Sequence, residues 1–327
     1  MNVVIVGATG LVGRTMLRVL EERNVNVDRL VLAASERSAG QTMTFRDQPL
    51  DVVELRPETF DGIDYALFSA GGSVSRQFAP VAAARGCVVI DNSSAWRMDP
   101  DVPLVVPEVN PLDALLHRGV IANPNCSTIQ LVVALKPLAE AFGLRRVVVS
   151  TYQTPSGAGQ KGLDQLRAEL EGRMPMERIS PHQLAGNTVF HTIDALNADS
   201  EEETKVMRET RRILHMDSLP LAVTCVRVPV IGGHAESVAV ETERPCSADD
   251  VRQVLSNAPG VVVVDDPANA QYPTTVRAND TDPVYVGRIR PDASVANGIL
   301  LWVVADNLRK GAATNAVQIL EVLAAHR

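Results

Sequence analysis

Cysteine and aromatic side chains are scarce in this chain. Of 327 residues, 4 are Cys, while Trp, Tyr and Phe number 2, 4 and 6. Cys87, Cys126, Cys225 and Cys246 are scattered, with no CxxC pair to suggest zinc and no dense framework to suggest a disulfide-stapled secreted domain. In a reducing compartment each is expected to be a free thiol, and no metal site is expected. No Lys/Arg block exceeds three residues, and 31 basic against 39 acidic residues leave a net charge of −8, so the footprint of a nucleic-acid binder is missing. A small anionic ligand would need a local basic pocket. The apolar runs break well short of about 18 residues, and the first of them ends in a Gly-rich turn, so neither a membrane-spanning helix nor a secretory signal is readable. The expectation is a cytoplasmic protein with no membrane partner. What the chain does have is length: at roughly 150 residues per domain it holds about two domains, with ample core.

Asn2 to Val6 reads as a buried strand that passes into Gly7-Ala8-Thr9-Gly10-Leu11-Val12-Gly13 and then into a helical pattern of Leu11, Met16, Leu17 and Leu20. Strand, Gly-rich turn and helix in that order open a parallel nucleotide-binding sheet. Strand runs follow at Leu30–Ala34, Tyr65–Phe68, Val88–Ile90, Leu104–Val106 and Val120–Ala122, with helix candidates at Ser73–Arg85 and Pro111–His117. This alternation predicts a doubly wound fold.

After Asn123-Pro124-Asn125-Cys126-Ser127-Thr128 an apolar helix is expected to about Phe142, kinked or divided by Pro137. From there the pattern changes. β-branched runs at Arg145–Tyr152, Ala222–Val230, Ser237–Thr242, Val261–Val264, Val284–Ile289 and Gly298–Val304 predict a larger mixed sheet in a second domain. The boundary is placed near residue 126. Asp306–Arg327, with Leu308, Ala312, Ala316, Ile319, Leu320 and Leu323, reads as an amphipathic helix able to return and cover the first domain. Residues 170–199 read as loop. The expected division is 1–126 with the helix 306–327, and 127–305.

Gly7, Gly10 and Gly13 stand at GxxGxxG rather than GxGxxG spacing. Their place after a strand and before a helix raises the signal, because glycines let backbone N–H groups approach a pyrophosphate at a positive helix terminus. A tight turn with no ligand is the alternative. About 20 residues on, where an acidic side chain would accept the ribose hydroxyls of NAD, the chain has Ser35-Glu36-Arg37-Ser38. Arg37 and Ser38 suit a 2′-phosphate, so NADP is preferred. Glu36 is the competing acidic acceptor.

Cys126 begins a helix, where free N–H groups and the positive dipole end lower a thiol's pKa. That is how a nucleophilic cysteine is made. The bland reading, a small buried hydrophobe, is the better one for Cys87 and Cys225. A nucleophile needs an acid or base nearby, and the candidates are His117, His182, His191, His215, His234 and His326. His234 stands out because it follows Gly232-Gly233 between two strand runs, with Arg227 seven residues earlier; the bland reading is a hairpin histidine.

The motifs GATGLVG at 7–13, SERSAG at 35–40, FSAGG at 68–72, DNSSAWR at 91–97, PLVVPEVN at 103–110, NPNCST at 123–128, STYQTPSGAG at 150–159, TCVRVPVIGGHAES at 224–237, VGRIR at 286–290 and DNLRKGAA at 306–313 closely resemble bacterial aspartate-β-semialdehyde dehydrogenase. The resemblance spans nearly the whole chain. It implies an α/β protein with an N-terminal NAD(P)-binding Rossmann domain and an α+β catalytic and dimerisation domain, acting as a homodimer. The implied reaction is the reversible NADP-dependent conversion of L-aspartate 4-semialdehyde and phosphate to L-4-aspartyl phosphate.

By that resemblance Cys126 is the nucleophile, His234 the acid/base catalyst that takes the hydroxyl proton of a thiohemiacetal, and Gln153 orients the acyl intermediate. Arg227 resembles the clamp for the substrate carboxylate. Arg97 and Lys205 resemble the phosphate-binding pair, and Glu202 the residue that binds the amino group. Glu202 and Lys205 stand at i, i+3 and share a helix face, as a merely solvated helix would also show. Gly7, Thr9, Gly10, Leu11, Val12, Gly13, Arg37, Ser38, Ser156, Gly157 and Asn307 match NADP contacts. One segment departs from the family pattern: Thr188-Val189-Phe190-His191-Thr192-Ile193-Asp194 replaces an Asn- and Pro-containing apolar stretch, which bears on local cofactor and intersubunit contacts there.

Two related enzymes compete. N-acetyl-γ-glutamyl-phosphate reductase normally carries its cysteine in a Gly-Cys-Tyr-Pro setting, against NPNCST here. A glyceraldehyde-phosphate type of dehydrogenase is disfavoured by the missing acidic residue for NAD and by Arg227. A non-catalytic nucleotide-binding paralogue is disfavoured by the joint presence of Cys126, Gln153, Arg227 and His234.

Overall fold

Strand β1 (Asn2–Val6) is buried along almost its whole length, as a central strand of a parallel sheet requires. The structure is a computed structural model that describes every residue except Asn197 and Arg327. The chain divides into two compact units, Met1–Asn125 with Ala312–Arg327, and Cys126–Gly311. The last residue of the terminal helix expected from the sequence, Arg327, and Asn197 within the expected loop lie outside the described residues.

In the first unit β1 is followed by α1 (Leu11–Glu22), β2 (Arg29–Ala34), β3 (Thr42–Phe45), β4 (Gln48–Glu54), β5 (Tyr65–Phe68), α2 (Gly72–Ala84), β6 (Val88–Asp91) and β7 (Val120–Ala122). Among the described residues these form a 7-stranded sheet in the order β3-β4-β2-β1-β5-β6-β7, parallel except for the β3–β4 hairpin. Leu17, Val19 and Leu20 of α1 pack into one apolar cluster with Val3 and Ile5 of the sheet. Ala316, Val317, Ile319, Leu320 and Leu323 of the C-terminal segment join the same cluster. The terminal stripe of apolar residues therefore closes this core rather than standing free.

The second unit begins with α3 (Cys126–Phe142) and continues through β8 (Leu144–Gln153), α4 (Gln160–Leu170), β9 (Val189–Phe190), α5 (Glu201–Leu214), β10 (Leu221–Arg227), β11 (His234–Thr242), α6 (Ala248–Ser256), β12 (Val261–Val263), α7 (Thr275–Ala278), β13 (Val284–Asp292) and β14 (Gly298–Ala305). A π-helical turn, Arg309–Ala313, precedes the last helix, α8 (Thr314–Ala325). The second sheet runs β12-β13-β14-β11-β8-β10-β9 and is mixed. Its register decides the site. Arg227 of β10 pairs with Gln153 of β8, and Gln153 pairs on its other side with His234 of β11. Three polar residues thus stand in one row across the sheet end.

Several expectations are corrected. Leu104–Val106 is not a strand but makes a single bridge, Leu104 to Ala122, because Pro103 and Pro107 flank it and cannot donate to a ladder. Pro111–Leu116 is a 3₁₀ helix. Pro137 neither breaks nor divides α3, which runs through to Phe142. Every residue from Ser127 to Leu135 in that helix is buried, and packing on all sides offsets the roughly 3 kcal/mol an interior proline costs. Strand β10 ends at Arg227 instead of continuing to Val230, since Pro229 cannot extend it. The expected loop 170–199 contains the short strand β9, which pairs antiparallel with β10. The hairpin β3–β4 was not readable: its turn places Arg46 and Asp47 at positive φ without an Asn-Gly or Asp-Gly signature.

Candidate active site

Cys126 is the first residue of α3, and its Sγ lies 3.2 Å from Nε2 of His234. His234 is fully buried. The backbone N–H of Thr154 donates to its Nδ1 at 3.1 Å. A ring nitrogen that accepts a hydrogen bond carries no hydrogen, so the neutral ring bears its hydrogen on Nε2, facing the sulfur. Burial holds the imidazole pKa down to about 3, with the Glu202 charge pulling it up and Arg227 and His191 pushing it further down. The ring is therefore neutral at physiological pH and acts in the resting site as a hydrogen-bond donor. It can take a proton at Nε2 only after giving up the hydrogen already there.

Gln153, 1% exposed, lies between His234 and Arg227 in the sheet row. Its Oε1 accepts from the Thr151 hydroxyl at 3.1 Å, and its Nε2 donates to Glu202 Oε1 at 3.0 Å. These two bonds fix the amide's orientation. Glu202 in turn lies 3.8 Å from the Lys205 ammonium, which also reaches Glu201 at 3.4 Å. The helix cap takes Glu203 of the three consecutive glutamates away from the site, and the bond to Gln153 singles out Glu202. Ser200 and Glu203 form a capping box, and Glu203 also accepts from the Cys225 backbone N–H, leaving Glu201 and Glu202 to line the cavity. The Arg227 guanidinium pKa is lowered by burial, while Glu202 and Cys126 favour its charged form.

A cavity of about 730 Å³ is bounded by Gly157, His191, Glu201, Glu202, Lys205 and Arg227, among others. A Cβ at Gly157 would sit 3.6 Å from His234 Nε2 and 3.8 Å from Arg227 Nη1, so the 156–159 turn closes directly over both. Opposed charges at one end suit a small zwitterion: a guanidinium for a carboxylate and a carboxylate for an ammonium. Lys205 adds a second cation for an anionic group.

Three further residues belong to the site: His191, one of six candidate histidines in the sequence, and Thr154 and Gly311, to which no role was given there. His191 follows β9 and lines the cavity; burial and the neighbouring Arg227 lower its pKa to about 4. Thr154 acts through its backbone. Gly311, in the π-helical turn, comes so close to the nucleophile that a Cβ there would lie 2.9 Å from Cys126 Cβ. The segment's departure from the family pattern was the one sign pointing at His191, and the glycine of DNLRKGAA the one sign pointing at Gly311.

Burial pushes Cys87 up to about 12 and raises Cys225 further, while Cys246 is raised by partial burial. Among the described residues no cluster of His, Cys, Asp and Glu could hold a metal ion.

In the first unit a cavity of about 430 Å³ is lined by Gly7, Thr9, Gly10, Ser35, Glu36, Arg37, Ser38 and Glu54, with apolar neighbours. No side chain caps the N-terminus of α1, and Gly13 packs so tightly that a Cβ would lie 2.2 Å from the Gly7 carbonyl oxygen. A close-packed glycine turn and an uncapped helix start fit a dinucleotide phosphate. Leu11, Val12 and Gly13 do not line this cavity; Gly13 supports the turn from behind. Arg97, also in this unit, is buried, donating from Nε to the Asn123 carbonyl and from Nη2 to the Asn92 carbonyl, both at 2.9 Å. In the second unit Ser156 and Asn307 are bonded to each other, Asn307 Nδ2 donating to Ser156 Oγ at 3.0 Å.

Residues 2–116 match the family model described as semialdehyde dehydrogenase, NAD binding domain, and residues 135–310 match that of semialdehyde dehydrogenase, dimerisation domain. The chain is 56% identical to an aspartate-semialdehyde dehydrogenase of Aquifex aeolicus (strain VF5), over 98% of this chain and 97% of the relative. It is 49% identical to that of Bacillus subtilis (strain 168), over 99% and 97%. Among solved structures, aspartate semialdehyde dehydrogenase II complexed with ASA from Vibrio cholerae superposes with a TM-score of 0.95 at 48% identity, covering 99% of this chain and 98% of that one. The Candida albicans aspartate semialdehyde dehydrogenase with NADP gives a TM-score of 0.76 at 27% identity, covering 98% of each.

Proposed function

The chain belongs to the aspartate-semialdehyde dehydrogenase family, and from that premise we propose that it catalyses the reversible, NADP-dependent reductive dephosphorylation of L-4-aspartyl phosphate to L-aspartate 4-semialdehyde. The observation that carries this reading is the 3.2 Å approach of Cys126 Sγ to His234 Nε2 beside a cavity holding Arg227 and Glu202. Arg227 binds the substrate's α-carboxylate and Glu202 its α-ammonium. An N-acetylated substrate has no ammonium to offer Glu202, which disfavours the acetylglutamyl-phosphate reading.

The Cys126 thiolate, held by the Nε2–H of His234, attacks the acyl carbon, and the C–O bond to phosphate breaks as inorganic phosphate leaves. The product is a thioester. Lys205, beside Glu202 in the cavity, is the cation proposed for that phosphate. The glycine turn and Arg37 of the first unit would hold NADP, which when bound would supply or accept the hydride. The tetrahedral oxyanion accepts a hydrogen bond from His234 Nε2–H, a fixed donor that needs no reorganisation at the moment of reaction. Collapse of the adduct expels the Cys126 thiolate and leaves the aldehyde. Gln153, its amide locked between Thr151 and Glu202, orients the acyl group.

We assign the second unit to dimerisation, supported by the family model over 135–310, and place the enzyme in the cytoplasm, in a route of amino-acid biosynthesis. No helix among the described residues is long and apolar enough to cross a membrane. The test is phosphate-dependent reduction of NADP by aspartate semialdehyde. Activity that vanishes without phosphate and in Cys126→Ala supports the reading. A folded protein with no such activity, or an active Cys126→Ala variant, overturns it.

A further inference from the structure

Directly behind the Cys126–His234 pair lies a second facing pair that the reaction does not use. Gln130 stands one helical turn after Cys126 on α3, and Glu236 stands two residues after His234 on β11. An i, i+4 step in a helix and an i, i+2 step in a strand both keep side chains on one face, so the second pair repeats the first one layer deeper. The opposite face of β11 is accounted for by Ala235 and Ser237, which line a separate apolar cavity with Tyr152 and Trp302.

Both residues are wholly buried at 0% exposure. Neither the two Glu236 oxygens nor the two polar atoms of the Gln130 amide makes a hydrogen bond within 3.5 Å, to each other or to anything else, yet the Gln130 amide is near enough to act on the Glu236 carboxyl. Groups buried this deeply cost free energy unless they satisfy each other. A carboxylic acid and a carboxamide can: the acid O–H donates to the amide oxygen while the amide N–H donates to the acid carbonyl. A carboxylate would leave the amide oxygen facing another acceptor. Burial pushes the Glu236 pKa well above the ordinary carboxylate range, with the Gln130 amide drawing it back, which favours the acid form that this geometry calls for. The strand neighbours connect the pair to the site: Thr151 is the cross-strand partner of Glu236 and donates to Gln153. Among titratable neighbours, the buried Cys225 thiol on β10 feels the Glu236 position.

We propose that Gln130 and Glu236 form a buried amide–acid pair that pins α3 to β11 and so sets the spacing between the Cys126 sulfur and the His234 ring. They are positioning residues: neither touches substrate. The inference deepens the function proposed above and rests on its assignment of Cys126 and His234.

The experiment compares Glu236→Met, Gln130→Met, Glu236→Gln and the Glu236→Met/Gln130→Met double variant in the full chain. Two quantities are read at neutral pH: the bimolecular rate of Cys126 alkylation by iodoacetamide, located by mass spectrometry, and kcat against KM. The single Met variants are expected to slow alkylation and kcat by roughly tenfold, since a misplaced dyad loses rate rather than binding, with KM within about twofold. The double variant should lose no more than either single one. Glu236→Gln, which still exchanges two hydrogen bonds with Gln130, should recover most of both rates. Folded Met variants with unchanged alkylation and kcat overturn the proposal, and so does a Glu236→Gln variant as slow as Glu236→Met. If Glu236→Met does not fold, Gln130→Met and Glu236→Gln decide by the same criteria. Because alkylation needs no substrate, slowed alkylation in a protein inactive on aspartate semialdehyde would sink the functional reading and leave this one standing.

Discussion

The backbone N–H of Thr154 donates to Nδ1 of His234 at 3.1 Å, and this one contact sets which way the catalytic ring presents its hydrogen. Nε2–H points at the Cys126 sulfur 3.2 Å away, so a neutral ring can hold a thiolate without forming an imidazolium. Glutamine can offer an N–H in the same place and alanine cannot. Removing a preorganised donor to an oxyanion costs about 10²–10³ in kcat. His234→Ala should lose that much in steady-state assays, and His234→Gln should exceed it by at least about tenfold. Equal losses would mean that proton transfer, and not donation, is what the ring supplies.

Acid stability follows from two depressed histidines. His234 and His191 have folded pKa values of about 3 and about 4, against 6.5 when unfolded. Between these limits the unfolded chain binds protons that the folded chain refuses, so stability is fully present above about pH 6.5 and falls as pH drops towards 4. The slope is at most about 1.4 kcal/mol per pH unit for each proton. Urea midpoints measured from pH 7 to pH 5 should show this fall, and His234→Gln should flatten it. An identical pH dependence in the variant would remove His234 as a cause.

Gly311 is another glycine whose missing side chain matters. A Cβ would lie 2.9 Å from Cys126 Cβ, so Gly311→Ala must push the nucleophile or the π-helical turn aside. Overpacking of this kind costs about 1–3 kcal/mol. The expected signature is a modest drop in Tm with a fall in kcat of roughly tenfold or more. A variant with reduced Tm and wild-type kcat would show that the turn, not Cys126, yields.

The proposed preference for NADP is attributed to Arg37, which shares its cavity with Glu36 and Glu54. Hydrogen bonds to a charged group are worth about 1.5–3 kcal/mol, or roughly tenfold and upward in affinity. Arg37→Ala should raise KM for NADP by that factor and leave KM for NAD nearly unchanged. Parallel changes in both constants would take Arg37 out of the 2′-phosphate site.

Much of the candidate site was legible because its signals are local. A strand, a glycine turn and a helix start within about fifteen residues announce a nucleotide fold, and Cys126 announces itself by opening a helix. Other features were hidden because no local pattern carries them. Pro137 reads as a helix breaker, yet a helix buried on every side runs through it. Pro103 and Pro107 reduce an apolar run to one bridge. His191 follows a strand of only two residues, too short for any periodicity to reveal.

By itself the sequence determined the family and most of the sheet-forming runs, and it singled out the candidate nucleophile and the charged residues proposed to surround it, since each depends on residue type and short-range spacing. Only the tertiary structure decided that Arg227, Gln153 and His234 form one row, that Glu202 rather than its neighbours accepts from Gln153, and that the buried Gln130 amide lies near the Glu236 carboxyl. Strand register and helix docking join residues up to about a hundred positions apart, and they are chosen by burial of whole faces rather than by any stretch a reader of the chain can see.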